Sequence, residues 1–204
     1  MTNIQFITHE NERFNYIEGT ELALRGGCKW VQLRMKNASN EEFLSVGHEI
    51  SRLCRNYHAT FLLDDRVHLV DELNADGVHL GKNDMPADEA RAILGNYKII
   101  GGTANTFADI QKLAAHGVDY IGCGPFRYTT TKQNLAPLLG LEGYETLLKQ
   151  MKEARIQIPL IAIGGILRGD IPDLLQTGVS GIAISGAVLN AENPEEEMKK
   201  LTNI

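Results

Sequence analysis

One short stretch, Gln32-Leu33-Arg34-Met35-Lys36, alternates two basic side chains and a glutamine with apolar residues. If it ends a β-strand, Gln32, Arg34 and Lys36 share one face. Two cations on a buried face are costly unless an anion pairs with them. The pattern fits a phosphate or pyrophosphate site, with Arg34 binding two oxygens and Lys36 acting as a point charge. It fits a structural ion pair with a nearby carboxylate equally well.

Acidic side chains follow the next two predicted strands. Asp64 and Asp65 end one strand, and Asp84 comes three residues after Gly81, which ends the next. Taken singly, each aspartate is more often a helix cap or a turn residue. Because neighbouring strands of a parallel barrel end side by side, we expect Asp65 and Asp84 to converge. Two carboxylates beside a phosphate site indicate Mg²⁺, which commonly binds one or two carboxylates together with substrate phosphates.

Hydroxyls, a lysine and glycines follow the remaining strands. Thr103 ends the fifth strand, and glycines at 164–165 and 186 follow the seventh and eighth. At those last two positions of a barrel, glycines frequently expose backbone N–H groups to a phosphate. The long loop 125–141 carries further groups suited to an anion, although a polar loop tip is the commoner explanation of such a motif: Thr129, Thr131 and Lys132. We expect His79 to be a hydrogen-bonded barrel histidine rather than a catalyst.

These residues must be positioned by a repeating strand–helix unit. Short apolar runs predict strands at 4–8, 29–34, 60–63, 77–80, 98–103, 119–124, 159–163 and 181–185. Amphipathic spacing predicts helices at 13–26, 41–57 (with Asn40 as cap), 67–73, 87–94, 107–116, 143–154, 170–177 and 193–201. Eight units indicate a (β/α)8 barrel. An open doubly wound sheet is the alternative, but the glycine loop typical of it is missing after the first strand.

Length and composition favour one barrel domain over residues 1–204. The net charge of −6 gives no reason to expect nucleic acid as a partner. Three cysteines without metal-ligand spacing indicate reduced thiols. The N-terminus does not resemble a signal peptide, and no apolar run reaches the ~18 residues of a membrane helix. We therefore expect a soluble cytoplasmic protein, with a homo-oligomer left open.

Taken in order, these motifs resemble those of thiamine phosphate synthases. The matching segments are VQLRMK (31–36), LLDDRVHLVDELNADGVHLGKND (62–84), IIGGT (99–103), DYIGCGPFRYTTTKQN (119–134), PLIAIGGI (159–166) and GIAISGAVL (181–189). The resemblance implies a TIM barrel that joins a pyrimidine pyrophosphate, 4-amino-2-methyl-5-(diphosphooxymethyl)pyrimidine, to thiazole phosphate. Pyrophosphate leaves through a dissociative mechanism, a pyrimidine carbocation forms, and thiamine phosphate results.

The resemblance also implies residue roles. It assigns Mg²⁺ to Asp65 and Asp84, and charge stabilisation during catalysis to Arg34, Lys36 and Lys132. The substrate-binding positions it implies are Gln32, Arg34, Lys36, Asp64, Thr103, Thr129, Thr131, Lys132, Gly165, Ile184 and Ser185. Three positions depart from the family: Met35 replaces a common glutamate, Thr130 replaces the usual proline of the loop, and Asp64 stands where asparagine is typical. Aspartate only accepts hydrogen bonds unless it is protonated, so Asp64 either repels an anion or adds a metal ligand.

Two other functions fit the same motifs less well. A thiazole tautomerase is a similar barrel, but its relatives tend to lose the metal aspartates and the threonine–lysine loop. A non-catalytic sensor of a phosphorylated ligand would need an output surface or domain. Other phosphate-binding barrels, such as sugar-phosphate epimerases, agree on fold alone.

Overall fold

Eight parallel strands each pair with the next along the chain, and the first also pairs with the eighth, so the sheet closes. The structure is a computed structural model that describes residues 3–128 and 137–204. The strands are β1 (Ile4–Ile7), β2 (Trp30–Leu33), β3 (Thr60–Asp64), β4 (Gly77–Leu80), β5 (Ile99–Ala104), β6 (Tyr120–Cys123), β7 (Leu160–Ile163) and β8 (Gly181–Ile184). The predicted barrel is therefore confirmed, and the open-sheet alternative is excluded.

The helices follow the strands around the outside of the barrel. They are α1 (Tyr16–Arg25), α2 (Asn40–Asn56), α3 (Ala87–Leu94), α4 (Phe107–Ala115), α5 (Gly140–Glu153), α6 (Ile171–Gln176), α7 (Gly186–Leu189) and α8 (Pro194–Thr202). The predicted helix at 67–73 is only a 3₁₀ turn at Val67–Leu69. Helix α7 was not predicted, because four residues are too few to show helical spacing. No helix within the described ranges is long and apolar enough to cross a bilayer.

The cap predicted for α2 is wrong by one residue. Ser39, not Asn40, is the N-cap: its side chain accepts from the Glu42 N–H, and the Glu42 carboxylate accepts from the Ser39 N–H. This reciprocal pair is a capping box, which satisfies two of the N–H groups that a helix start leaves unpaired. The Asn40 side chain instead accepts a hydrogen bond from Arg66.

Apolar side chains form two separate cores. The larger core lies between the strands and the surrounding helices, and its fully buried members include Phe6, Phe43 and Tyr144. The smaller core fills the barrel interior, where Ile7, Leu62, Tyr120, Ile161 and Ala183 meet. Four polar side chains are also buried in the strands: Gln5, Gln32, Asp64 and His79. Because buried polar groups need partners, these four indicate a hydrogen-bonded layer inside the barrel.

Candidate active site

A cavity of about 880 Å³ opens at the carboxyl ends of the strands. Its wall includes the predicted residues Gln32, Arg34, Lys36, Asp64, Asp84, Thr103, Gly165, Ile184 and Ser185. Among the predicted residues that the structure describes, only Asp65 is not part of the wall, although its carboxylate contacts Lys36. Barrel enzymes place their active sites at this end of the strands, so the cavity is the candidate active site.

The ammonium group of Lys36 lies among three carboxylates. Its Nζ is 2.8 Å from Asp65 Oδ2, 2.9 Å from Asp64 Oδ2 and 3.7 Å from Asp84 Oδ2. Burial lowers the pKa of Lys36, but the charges of Asp64 and Asp65 and their hydrogen bonds outweigh it and raise the pKa. The expected convergence of Asp65 and Asp84 is therefore present. The ion-pair interpretation of the basic stretch is therefore confirmed, and the phosphate-site interpretation stays a prediction for two cations that line the cavity.

Asp65 has a left-handed backbone conformation, with φ of 59°. Its N–H donates to the His79 carbonyl at 2.9 Å, which ties the end of β3 to β4. Arg66 Nε lies 3.2 Å from Asp65 Oδ1, and the same guanidinium donates to Ala38 and Asn40. Asp65 therefore keeps its other oxygen, Oδ2, toward Lys36. No role was predicted for Arg66, because a lone arginine after an acidic pair carries no distinctive signal.

Hydrogen bonds link Gln32 and Asp64 in the cavity wall and continue to Gln5 behind it. Gln32 Nε2 donates to Asp64 Oδ1 at 2.7 Å, and Gln5 Nε2 donates to Gln32 Oε1 at 3.1 Å. Arg34 Nε is 3.9 Å from Asp64 Oδ2, and the Arg34 N–H donates to Thr8 Oγ1 at 3.0 Å. The base of the β2 motif is therefore fixed by neighbouring strands, while the Arg34 and Lys36 side chains reach the cavity.

His79 connects two hydroxyls inside the barrel. Its Nδ1 lies 2.9 Å from the Tyr120 hydroxyl, and its Nε2 lies 2.9 Å from Thr103 Oγ1. The prediction of a hydrogen-bonded barrel histidine is confirmed. Tyr120 and Gln5 are network members that the sequence analysis missed. Each is a polar side chain inside an otherwise apolar strand, which is the only signal that could have revealed it.

The part of the cavity wall that follows β7 and β8 carries Gly165, Ile184 and Ser185. Gly165 has φ of +68°, and α7 begins directly after Ser185. Ser185 Oγ donates to the Ile7 carbonyl at 2.5 Å and lies 2.5 Å from His9 Nδ1. Burial, and then the charge of Arg34, lower the pKa of His9. His9 was not predicted as a site residue, because a single histidine after β1 matches no binding or catalytic motif.

Thr129, Thr131 and Lys132 lie outside the described residues. The segments on either side of them are anchored. Leu139 and Gly140 donate their N–H groups to the carbonyls of Pro125 and Phe126. Arg127 forms two hydrogen bonds, of 2.7 and 2.8 Å, with the Asp170 carboxylate.

The carboxylates beside Lys36 fit a divalent cation that binds together with a phosphate. Among the residues that the structure describes, buried Asp64 Oδ2 has no directed hydrogen bond and is held by ion pairs with Lys36 and Arg34. In the described part of the chain, no three acidic, histidine or cysteine side chains are already arranged around a common metal position. Mg²⁺ does not require that, since one or two carboxylates and substrate oxygens suffice. Asp65 and Asp84 supply such a pair.

Comparisons with known proteins agree over nearly the whole chain. The sequence profile of the family described as thiamine monophosphate synthase matches residues 4–188. Proteins named thiamine-phosphate synthase from Bacteroides thetaiotaomicron and Bacteroides fragilis are each 56% identical, covering 100% of this chain and 98% and 100% of theirs.

Solved structures show the same relationship. Thiamine phosphate pyrophosphorylase from Pyrococcus furiosus superimposes with a TM-score of 0.86 at 33% identity, covering 99% of this chain and 94% of that one. A 3-hexulose-6-phosphate synthase superimposes with a TM-score of 0.72 at 16% identity, covering 100% and 99%, which shows the shared fold alone. From the family match and the full-length identity, the chain belongs to the thiamine monophosphate synthase family.

Proposed function

We propose that the cavity binds a pyrimidine pyrophosphate and thiazole phosphate side by side and joins them into thiamine phosphate. The observation that carries the proposal is one cavity whose wall holds two groups of residues suited to bind an anion. Arg34 and Lys36 form the first, and Gly165 and Ser185 at the start of α7 form the second. Full-length relatives named thiamine-phosphate synthase support this assignment. The volume of about 880 Å³ lies within the range of ligand pockets, roughly 300–1,000 Å³.

We assign each of the two groups of cavity residues to one substrate. Gln32, Arg34, Lys36, Asp64 and Thr103 are proposed to bind the pyrimidine pyrophosphate. Gly165, Ile184 and Ser185 are proposed to bind the thiazole phosphate through backbone N–H groups and the serine hydroxyl. Thr129, Thr131 and Lys132 are proposed to contact both anions from the loop.

Asp65 and Asp84 are the proposed ligands of Mg²⁺. When bound, the ion would neutralise charge on the phosphate oxygens of the pyrimidine substrate. Lys36 now neutralises the same carboxylates from within 4 Å, so it must turn toward the incoming pyrophosphate when the cation binds. Asp64 Oδ2 would then lose its ion pair unless it joins the ligand set. Aspartate at this position, unlike the asparagine typical of the family, would therefore leave an unpaired negative charge or add a metal ligand.

The bond change needs little acid–base chemistry from the protein. The bond between the pyrimidine methylene carbon and the pyrophosphate oxygen breaks, and its electron pair leaves with the pyrophosphate. The thiazole nitrogen then donates its lone pair to that carbon. Arg34, Lys36 and Lys132 are proposed to stabilise the charge that builds on the departing group, where fixed cations act more strongly than water. His79 then needs no role as a base.

A turnover assay tests the function directly. Purified protein is mixed with both substrates and Mg²⁺, and thiamine phosphate and pyrophosphate are quantified by chromatography. We expect both products in equal amounts. Absence of product at saturating substrates and metal would overturn the proposal. A parallel reaction with a thiazole carboxylate phosphate tests the tautomerase alternative, and binding of both phosphorylated ligands without turnover would favour a sensor.

The setting of this reaction is also a proposal. We infer a cytoplasmic enzyme, because Cys28, Cys54 and Cys123 are all buried free thiols. Burial raises the pKa of Cys28 to about 11 and that of Cys54 and Cys123 to about 12, which keeps them protonated and unreactive. We expect each chain to supply its own active site, whether or not copies associate as a homo-oligomer.

A further inference from the structure

A chain of hydrogen bonds crosses the barrel interior from the pyrophosphate side of the cavity to Thr103. It passes through six strands, one side chain from each: Asp64, Gln32, Gln5, Tyr120, His79 and Thr103. Its links measure 2.7 to 3.1 Å. Asp64, Gln32 and Thr103 line the cavity, whereas Gln5 and Tyr120 lie below it.

The direction of every hydrogen bond follows from the carboxylate at one end. Asp64 is paired with Lys36 and only accepts, so the Gln32 amide must present its NH₂ group to Asp64 Oδ1. The Gln32 carbonyl oxygen therefore faces Gln5, which must present its own NH₂ group. The second hydrogen of that group goes to the Tyr120 oxygen at 3.1 Å.

The same reasoning continues through the second half of the chain. Gln5 donates to the Tyr120 oxygen, and among the described residues His79 Nδ1, at 2.9 Å, is the other partner of that hydroxyl, so we assign the Tyr120 hydrogen to His79 Nδ1. Burial raises the pKa of Tyr120, so the phenol keeps that hydrogen. A neutral imidazole that accepts at Nδ1 carries its hydrogen on Nε2, which then donates to Thr103 Oγ1.

Because Thr103 Oγ1 accepts from His79, the hydrogen of its hydroxyl remains available to donate to another group. Within residues 3–128 and 137–204, no residue accepts the hydrogen of its hydroxyl, and the side chain lines the cavity. We propose that Asp64, acting through Gln32, Gln5, Tyr120 and His79, sets the Thr103 hydroxyl as a donor to the pyrimidine substrate. Gln5, Tyr120 and His79 are thus positioning residues. The inference rests on the proposed function, because it names how that site recognises its substrate.

Asp64 gives this chain a fixed polarity that an asparagine would not. An amide can donate or accept, so asparagine at this position would allow the Gln32 amide either orientation and would allow the whole series to reverse. In the reversed series His79 Nε2 would accept from Thr103, and the threonine would present lone pairs to an anionic substrate.

A double-mutant cycle tests the proposal. Thr103→Val removes the donor, and Tyr120→Phe removes the hydrogen that holds His79 in its Nε2–H form. Each single variant should lower kcat/KM for the pyrimidine substrate about 10-fold or more, the scale of a hydrogen bond to a charged acceptor. Thr103→Ser should retain the wild-type rate. The double variant should lose no more than Thr103→Val alone, because Tyr120 acts through Thr103.

Two results of the cycle would overturn the inference. One is a Tyr120→Phe enzyme with wild-type kcat/KM. The other is a Tyr120→Phe effect that is equally large with and without the Thr103 hydroxyl. Ser51→Ala serves as the matched control, because it removes a buried hydroxyl that donates to the Leu73 carbonyl at 2.7 Å, away from the cavity. It should reduce stability and leave kcat/KM unchanged.

A spectroscopic measurement on the unmodified protein is independent of both turnover and variant folding. Proton–nitrogen correlation spectra of ¹⁵N-labelled protein report which imidazole nitrogen carries the hydrogen. We expect His79 in the neutral Nε2–H form, and an Nδ1–H or doubly protonated ring would overturn the inference. If wild-type protein makes no thiamine phosphate, the proposed function fails, but the spectrum still decides the polarity of the network.

Discussion

At the residue scale, the site without ligands balances its own charges. Lys36 pairs with both Asp64 and Asp65 and lies a little farther from Asp84, and further positive charge comes from Arg34 beside Asp64 and Arg66 beside Asp65. An ion pair held this way costs less than isolated buried charges would, yet it must be exchanged when the substrate and metal arrive. Substitutions that remove charge and keep shape therefore test the roles of these residues most directly.

Asp84 offers such a substitution. Its Oδ2 accepts from the Gly81 N–H at 2.6 Å, so alanine would remove both a charge and a turn contact. Asp84→Asn keeps an oxygen for that contact and loses only the charge. If Asp84 binds Mg²⁺, turnover at saturating substrates should fall about 100-fold, and half-maximal activity should need more Mg²⁺. Asp84→Ala should lose a similar amount. Wild-type turnover by the asparagine variant would remove the metal assignment.

His9 makes stability depend on pH. Burial and the nearby Arg34 lower its pKa in the folded chain below the ordinary value of 6.5. The unfolded chain therefore binds the proton more tightly, so the free energy of unfolding should fall as the pH drops below about 6.5. Urea unfolding at pH 7.5 and 5.5 measures the difference. His9→Asn, which keeps a donor near Ser185, should lose less stability over that interval. Equal losses in both proteins would contradict this origin.

At the element scale, strand ends and the loops after them shape the cavity. At Gly165 the loop after β7 requires a residue without a side chain, because its φ is +68° and an added Cβ would lie 2.7 Å from the Tyr128 carbonyl oxygen. Four residues later, Gly169 has no atom within 4 Å of an added Cβ. The two glycines follow the same strand, so they form a matched pair.

We expect Gly165→Ala to destabilise the protein by about 1–3 kcal/mol, the usual cost of a strained backbone conformation. The loop must also shift, so the KM for thiazole phosphate should rise more than the KM for the pyrimidine substrate. Gly169→Ala should change both KM values and the urea midpoint little. The assignment of Gly165 to the thiazole phosphate end would be wrong if both alanine variants had the same KM values as wild type.

Strands and helices were predicted well where hydrophobic periodicity marks them, and poorly where a single hydrogen bond determines where a helix begins. Strand β4 and helix α3 have the predicted bounds, because apolar runs bounded by Gly77 and Pro86 mark them clearly. Helix α7 is too short for periodicity, and the cap of α2 depended on which of two adjacent polar residues, Ser39 or Asn40, turns inward.

The same distinction applies to the site. Alternation predicted that Gln32, Arg34 and Lys36 would share one face, and strand-end position predicted that Asp65 and Asp84 would converge, because parallel strands end together. Gln5, His9, Arg66 and Tyr120 could not be predicted, since each owes its position to partners distant in sequence. Tyr120, for example, bonds Gln5 from 115 residues away.

At the scale of the whole molecule, closure of the barrel brings residues from both chain ends into one site. Strand β1 pairs with β8, and His9 contacts Ser185 across 176 residues of sequence. We propose that residues 1–204 form one folding unit, because every strand of the closed barrel is hydrogen-bonded to a neighbouring strand on each side. A ligand bound between strand ends should therefore stabilise the entire barrel rather than one part of it.

This linkage allows the metal and the anion to be tested without turnover. A ligand that binds only the folded state at 100 times its Kd adds about 2.7 kcal/mol of stability, or about 5–10 °C in Tm for a chain of this size. Melting curves are recorded with Mg²⁺ alone, pyrophosphate alone and both together. Lys36 neutralises the aspartates in the free protein, so Mg²⁺ alone should give little shift.

Pyrophosphate should attract Lys36 and Arg34, leaving Asp65 and Asp84 free for the cation. The two ligands together should therefore raise Tm by more than the sum of their separate shifts. Asp84→Asn should abolish this excess while keeping the pyrophosphate shift, and Arg34→Ala should reduce the pyrophosphate shift itself. If Mg²⁺ leaves the pyrophosphate shift of the wild-type protein unchanged, the carboxylates near Lys36 serve only as its counter-ions.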